Sequence, residues 1–164
     1  MEPLELLLPL EGPLPECSPR IAELYDYWRL ITPAGRRMPG RQQFDPAAVP
    51  KLLPWLRLYD VQRDPMRFRY RLVGTELVRV MGRDPTGKWL DETFPGVVGS
   101  YDYETLINIV GGRIKAYSRG APILVVSKDY LLAERLTLPL SQDGGVVDMV
   151  IAITVFHPAK SAAA

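Results

Sequence analysis

Histidine and cysteine occur once each, as His157 and Cys17. A lone cysteine cannot close an internal disulfide, which fits a reducing compartment. One histidine and one cysteine do not make a conventional zinc site, so no metal centre is expected. Nor do they suggest a nucleophilic pair, since Cys17 lies in a proline-rich arm and His157 ends the last strand. Charge of one sign is also scarce. Twenty lysines and arginines against nineteen aspartates and glutamates leave +1, which recommends neither nucleic acid nor a membrane as partner. The apolar stretch Leu4 to Leu10 is far short of the roughly 20 residues that span a bilayer. It carries Glu5 and Pro9 and lacks the positive start of a signal peptide. No phosphate-binding or dinucleotide fingerprint occurs. These gaps together predict a cytoplasmic protein that is not an enzyme.

What remains is 164 residues, enough for one domain with a short extension. Residues 1–18 form a Pro/Leu-rich arm, expected to be irregular. Ser18-Pro19 then opens a helix over 19–33, with Ser as N-cap and Pro at the first helical position. Ile21, Leu24, Tyr25, Trp28 and Ile31 recur along it as one apolar stripe. A turn-rich connector with Arg36, Arg37 and Arg41 follows, and Asp45-Pro46 starts a second short helix. "LRLYDVQR" (56–63) and "RFRYRLV" (67–73) read as an antiparallel hairpin. Arg67, Arg69 and Arg71 alternate with Phe68, Tyr70 and Leu72, as suits an edge strand that discourages unwanted pairing.

"RLVGTELVRVMGRDPTGKWLDE" (71–92) interrupts itself three times. Gly74 releases the chain from the strand, and Thr75 is suited to cap two helical turns. Gly82 suits a left-handed C-cap, and Asp84-Pro85-Thr86-Gly87 has turn chemistry at every position. Such short pieces suit a curved wall laid over a sheet. A longer helix is expected from Ser100 to Ser118, with Tyr103, Leu106, Ile107, Val110, Ile114 and Tyr117 inward and Gly111-Gly112 inside it. Three strands close the chain, over 122–131, 134–140 and 146–156. Asp143-Gly144 turns the last hairpin, and Pro139 implies a bulge or strand end. The last strand, apolar at almost every position, should be central and covered on both faces.

The order of elements is that of a PAS domain. "RFRYRLVGTELVRVMGRDPTGKWLDE", with "MPGRQQFDPAAVPKLLPWLRLYDV" and "ERLTLPLSQDGGVVDMVIAITVF", resembles a family of stand-alone bacterial PAS-like proteins common in alphaproteobacteria. The resemblance covers about residues 36 to 157 and leaves 158–164 as a disordered tail. It implies an α+β fold in which short helices and one long helix lie on one face of a five-stranded antiparallel sheet, with the N-terminal helix added. The last strand would lie in the middle and Arg67 to Val73 at an edge. The resemblance also implies sensing or dimerisation rather than catalysis.

Under that reading, Phe68, Tyr70, Leu72, Leu77, Met81, Phe94, Leu106, Val110, Met149 and Ile151 are expected to line a pocket for a small apolar or amphipathic ligand. Val150, Ala152 and Phe156 would face the other way. Ile21, Leu24, Tyr25, Trp28 and Ile31 would cover them, from the same chain or from a second subunit. A homodimer or a signalling-protein partner follows naturally. The cofactor is left unspecified. The long helix lacks the histidine that haem-binding relatives place there, and no cysteine stands where covalent flavin attachment needs one. A ligand-independent interaction or dimerisation module is the alternative. A cone-shaped α+β isomerase-like enzyme is a weaker one, because the inward positions are nearly all apolar. The closest carboxylate pairs, Asp91-Glu92 and Asp102 with Glu104, are not placed for acid/base work: neighbours diverge on a helix, and first-turn acids serve its dipole.

Overall fold

The computed structural model describes residues 3–121 and 131–158. Among these described residues, six strands form one antiparallel sheet: β1 (Leu4–Pro9), β2 (Leu56–Gln62), β3 (Arg67–Val73), β4 (Ile114–Gly120), β5 (Leu131–Leu140) and β6 (Met149–Pro158). The spatial order is β1-β4-β5-β6-β2-β3. β6 is therefore interior and β3 is an edge, as the resemblance implies. Among the described residues, four α-helices accompany the sheet: α1 (Pro19–Ile31), α2 (Thr75–Met81), α3 (Leu90–Thr93) and α4 (Tyr101–Val110). Short 3-10 turns at Arg41–Gln43, Pro46–Ala48 and Leu53–Trp55 carry the chain from α1 to β2.

The sixth strand comes from the arm expected to be irregular. Leu4, Leu6 and Leu8 turn inward while Glu5, Leu7 and Pro9 point outward. β1 runs antiparallel along β4, from Leu4 opposite Arg119 to Pro9 opposite Ile114. Prolines at such an edge cost little, since one side of the strand needs no ladder donors. Lys115 anchors the arm. Its ammonium is wholly buried and donates to the carbonyls of Pro9 (2.5 Å), Leu10 (3.1 Å) and Gly12 and to the Tyr25 hydroxyl (3.1 Å). Burial pushes its pKa down to about 8, against the pull of Glu11.

The expected long helix is two elements. α4 stops at Val110, Gly112 adopts φ +75°, and Ile114 and Tyr117 are strand residues rather than part of a helical stripe. The glycine pair is a stop signal: the Gly112 amide donates to Ile109 in the last turn while the left-handed residue redirects the chain. Among the described residues α1, not α4, is the longest helix. The N-cap of α2 is Gly74 rather than Thr75. A Cβ there would lie 2.3 Å from the carbonyl oxygens of Leu53 and Pro54, so only glycine fits. The strand expected at 122–131 lies, except for its last residue, outside the described residues. Pro139 stands one residue from the end of β5, where Trp28 Nε1 donates to its carbonyl at 3.0 Å.

The interrupted segment 71–92 covers the β3 edge. The Tyr70 amide donates to Lys88 O and the Gly87 amide to Tyr70 O, so residues 87–89 lie against the strand. Arg67 reaches over the Trp89 ring, 4.3 Å from its centroid, to a bidentate pair with Asp91 and a contact with Glu92. Arg69 and Arg71 lean on Asp60. The arginine row thus holds its cover in place as well as charging an edge.

Candidate functional site

Register decides which side chains look into the space between α4 and the sheet. Ala116, Thr137, Ala152 and Arg57 form one row across β4, β5, β6 and β2. Ser118, Arg135 and Thr154 form the row beside it. Tyr59 stands two residues along from Arg57, opposite Val150. α4 lies over these rows and contributes Tyr101, Asp102, Thr105 and Leu106, while α3 contributes Leu90. Between them is a cavity of about 20 Å³, room for roughly one water. Past Tyr101, Asp102, Ser118 and Arg135 it adjoins a wider groove of about 310 Å³ that reaches Pro3 and Glu5.

Several charged and polar side chains stand on this otherwise apolar lining. Arg135 Nη1 donates to Asp102 Oδ1 at 2.7 Å. Asp102 Oδ2 and Arg135 Nε are both buried without a hydrogen-bond partner. Burial works against the charge on Arg135, but Asp102 outweighs it and holds the guanidinium firmly protonated. Arg57 Nε donates to Tyr59 Oη at 2.8 Å, and its Nη1 donates to Thr154 Oγ1 at 2.6 Å. The Tyr59 and Tyr70 rings pack 4.9 Å apart. Burial and then the neighbouring Tyr59 push the Tyr70 phenol far above its ordinary range, so it stays protonated.

Of the ten residues expected at the pocket, Leu106 lines this cavity. Phe68 and Tyr70 are buried behind it, Phe68 edge-on to Tyr103 and Tyr59. Leu72, Leu77, Met81, Phe94 and Val110 do not line it; Leu77 is buried on α2, and Arg83 covers Phe94 at 4.7 Å. Met149 and Ile151 must be corrected. They pair with Leu140 and Leu138 and face the opposite side of the sheet. Val150 and Ala152, expected at the partner face, share the cavity's rows instead. Phe156 is also on this side, opposite Ala133.

The opposite face is covered by α1 from the same chain. Ile21, Leu24, Tyr25 and Trp28 are buried and Ile31 half-buried, in one core with Leu136, Leu138, Ile151 and Ile153. Glu134 fastens the start of this helix, accepting hydrogen bonds from the Ser18 amide (3.0 Å), the Ser18 hydroxyl and Tyr117 Oη (2.7 Å). His157 Nε2 lies 3.0 Å from the same carboxylate. Burial pushes Glu134 up, but these donors outweigh it and keep its pKa below the usual carboxylate value.

Arg57 and Arg135 are the residues that sequence reasoning passed over, and Asp102, assigned there to the helix dipole, is instead paired with Arg135. In "ERLTLPL" Leu136, Leu138 and Leu140 alternate with polar or turn residues. A strand covered on both faces has no exposed positions, so a charge at any interior position implies a buried charge. That signal was available for Arg135 once its strand was placed beside the central one.

A family model described as PAS domain matches residues 17–154. This chain belongs to the PAS domain family. PAS domains are generally sensory rather than enzymatic, and the match takes in α1, α4, β2 to β5 and most of β6, but not β1. The solved "Structure of an RNA-binding Light-Oxygen-Voltage Receptor" is similar over 94% of this chain and 38% of that one, at 13% identity and TM-score 0.47. No curated protein matches in sequence. Among the described residues, no helix of this PAS domain is long and apolar enough to cross a membrane, and no cluster of residues is suited to hold a metal ion.

Proposed function

We propose that this PAS domain is a sensor whose small amphipathic ligand enters between α4 and the sheet. The observation that carries this reading is the unfinished polar pairing inside the cavity, with Asp102 Oδ2 and Arg135 Nε both lacking partners. Native structures leave few such atoms unpaired, because each costs about 1–3 kcal/mol. Leu90, Leu106 and Ala116 beside them give the lining its apolar part. The cavity as it stands holds about one water, so a ligand would have to shift α4 outward or extend into the adjoining groove. The ligand would then signal through its differential affinity for two positions of α4.

PAS domains commonly bind small ligands or protein partners, and a protein partner is the proposed output here. The apolar stripe of α1 is already buried in its own chain, which weighs against that stripe as the contact between two subunits. Sensing is favoured over catalysis. The cavity's carboxylate is committed to an arginine, and burial pushes the Tyr101 phenol on its lining up, so neither group is suited to act as a general base.

Native mass spectrometry of the purified protein, beside its denatured mass, tests this reading. Extra mass released on denaturation supports the sensor. A clean mass that no added small molecule shifts would favour a ligand-independent interaction module.

A further inference from the structure

The charges in the cavity do not balance. Arg57 is 8% exposed, and it donates to the hydroxyls of Tyr59 and Thr154 and lies 5.7 Å from the centre of the Tyr59 ring. Among the described residues no carboxylate comes within ion-pair distance of its guanidinium. Thr154 stands directly opposite Arg135 across the β5–β6 ladder, so the Arg57 side chain reaches the Arg135 row. Arg135 is itself paired to Asp102, whose side chain is 9% exposed, through one oxygen only. Two guanidinium groups and one carboxylate therefore line a space from which water is nearly excluded. A single water could satisfy Asp102 Oδ2 and Arg135 Nε, but it would leave the extra positive charge uncompensated. An uncompensated buried cation is costly, and sites that keep one commonly do so for function.

Resting on the sensory reading above, we infer that this PAS domain recognises a small organic monocarboxylate. Its carboxylate is held between the Arg57 guanidinium and Arg135 Nε, and a hydroxyl or comparable donor on the ligand faces Asp102 Oδ2. One negative charge completes the balance. A planar carboxylate suits two guanidinium groups, whose N–H donors lie in a plane. The remainder of the molecule extends past Tyr101 and Ser118 into the groove.

The test measures the melting temperature of the full chain while acetate, propionate or lactate is titrated at constant ionic strength. Acetamide, propionamide and lactamide serve as neutral controls, and chloride as a simple anion. The expected result is a saturable rise with at least one carboxylate and none with its amide. Arg57→Met should abolish that rise while leaving the ligand-free melting temperature unchanged or higher, because it removes an uncompensated charge. Arg57→Lys should weaken the response without abolishing it. The Arg57 and Arg135 Nε–H resonances of the wild-type protein should move with the same carboxylate, a readout that no variant's folding can confuse. Equal stabilisation by amides would overturn the carboxylate assignment and leave the cavity reading standing. A chloride response as large as that of the carboxylates would overturn it too. Silence from every probe, in both melting and resonances, would overturn both readings.

Discussion

Arg135 on β5 and Asp102 on α4 are joined at 2.7 Å across 33 residues of sequence, and this pair is the charged tie between the helix and the sheet it covers. Both side chains are largely buried, so their geometry matters more than that of a surface pair.

Asp102→Ala should destabilise the domain by about 3–5 kcal/mol, because it strands a buried guanidinium. The double replacement Asp102→Leu with Arg135→Met should recover most of that loss. Chemical denaturation of the three variants checks it. A double variant as unstable as the single one would mean that the pair does more than neutralise itself.

Lys115→Met should cost about 1–3 kcal/mol, since the carbonyls of Pro9, Leu10 and Gly12 lose a shared donor. The loss should be local first. Hydrogen exchange in Leu4–Pro9 should quicken well before that in β5 or β6. Uniform acceleration across the sheet would show that the arm is not a separately docked unit.

Removing residues 1–33 takes away α1 and β1 together. It bares Leu136, Leu138, Ile151 and Ile153 on the covered face of the sheet. The truncated chain should aggregate or melt far earlier than the full one. Equal stability, measured by calorimetry, would contradict the assignment of α1 as part of the core.

Asp143 gives the clearest acid response. The amides of Gly145 and Val146 and the Ser141 hydroxyl hold its carboxyl at about 2, below the ordinary value of 3.8. A carboxyl with a lower pKa in the folded state adds stability above about pH 4 and loses it as the pH falls towards 2. The stability difference between wild type and Asp143→Asn should therefore shrink across that window. A difference that stays flat from pH 6 to pH 2 would show that the loop does not depend on the ionised form.

Local chemistry was legible from the chain alone. Ser18-Pro19 starts α1, Gly82 ends α2, and the alternation of 67–73 makes an edge strand; the turn expected at 84–87 closes one residue later, from the Lys88 amide to Pro85 O. Each depends on dihedral preference or on a period that neighbouring residues reveal. Gly111-Gly112 was legible in kind but misplaced, because a glycine pair reads either as a tolerated flaw in a helix or as its end. The choice depended on whether Ile114–Gly120 found strands to pair with on both sides, and it did.

The candidate site was harder to read. A period of two separates the faces of a strand without saying which partner covers which face. On β6 both faces are apolar and buried, so nothing within 149–156 assigns Met149 and Ile151 to α1 or Val150 and Ala152 to the cavity. Only the register with Arg57, Thr137 and Arg135 does so. The burial of three charges had the same origin. Arginine and aspartate are polar wherever they stand in a sequence, and only the packing of α4 over β5 turned Asp102, Arg135 and Arg57 from surface residues into the polar centre of the domain.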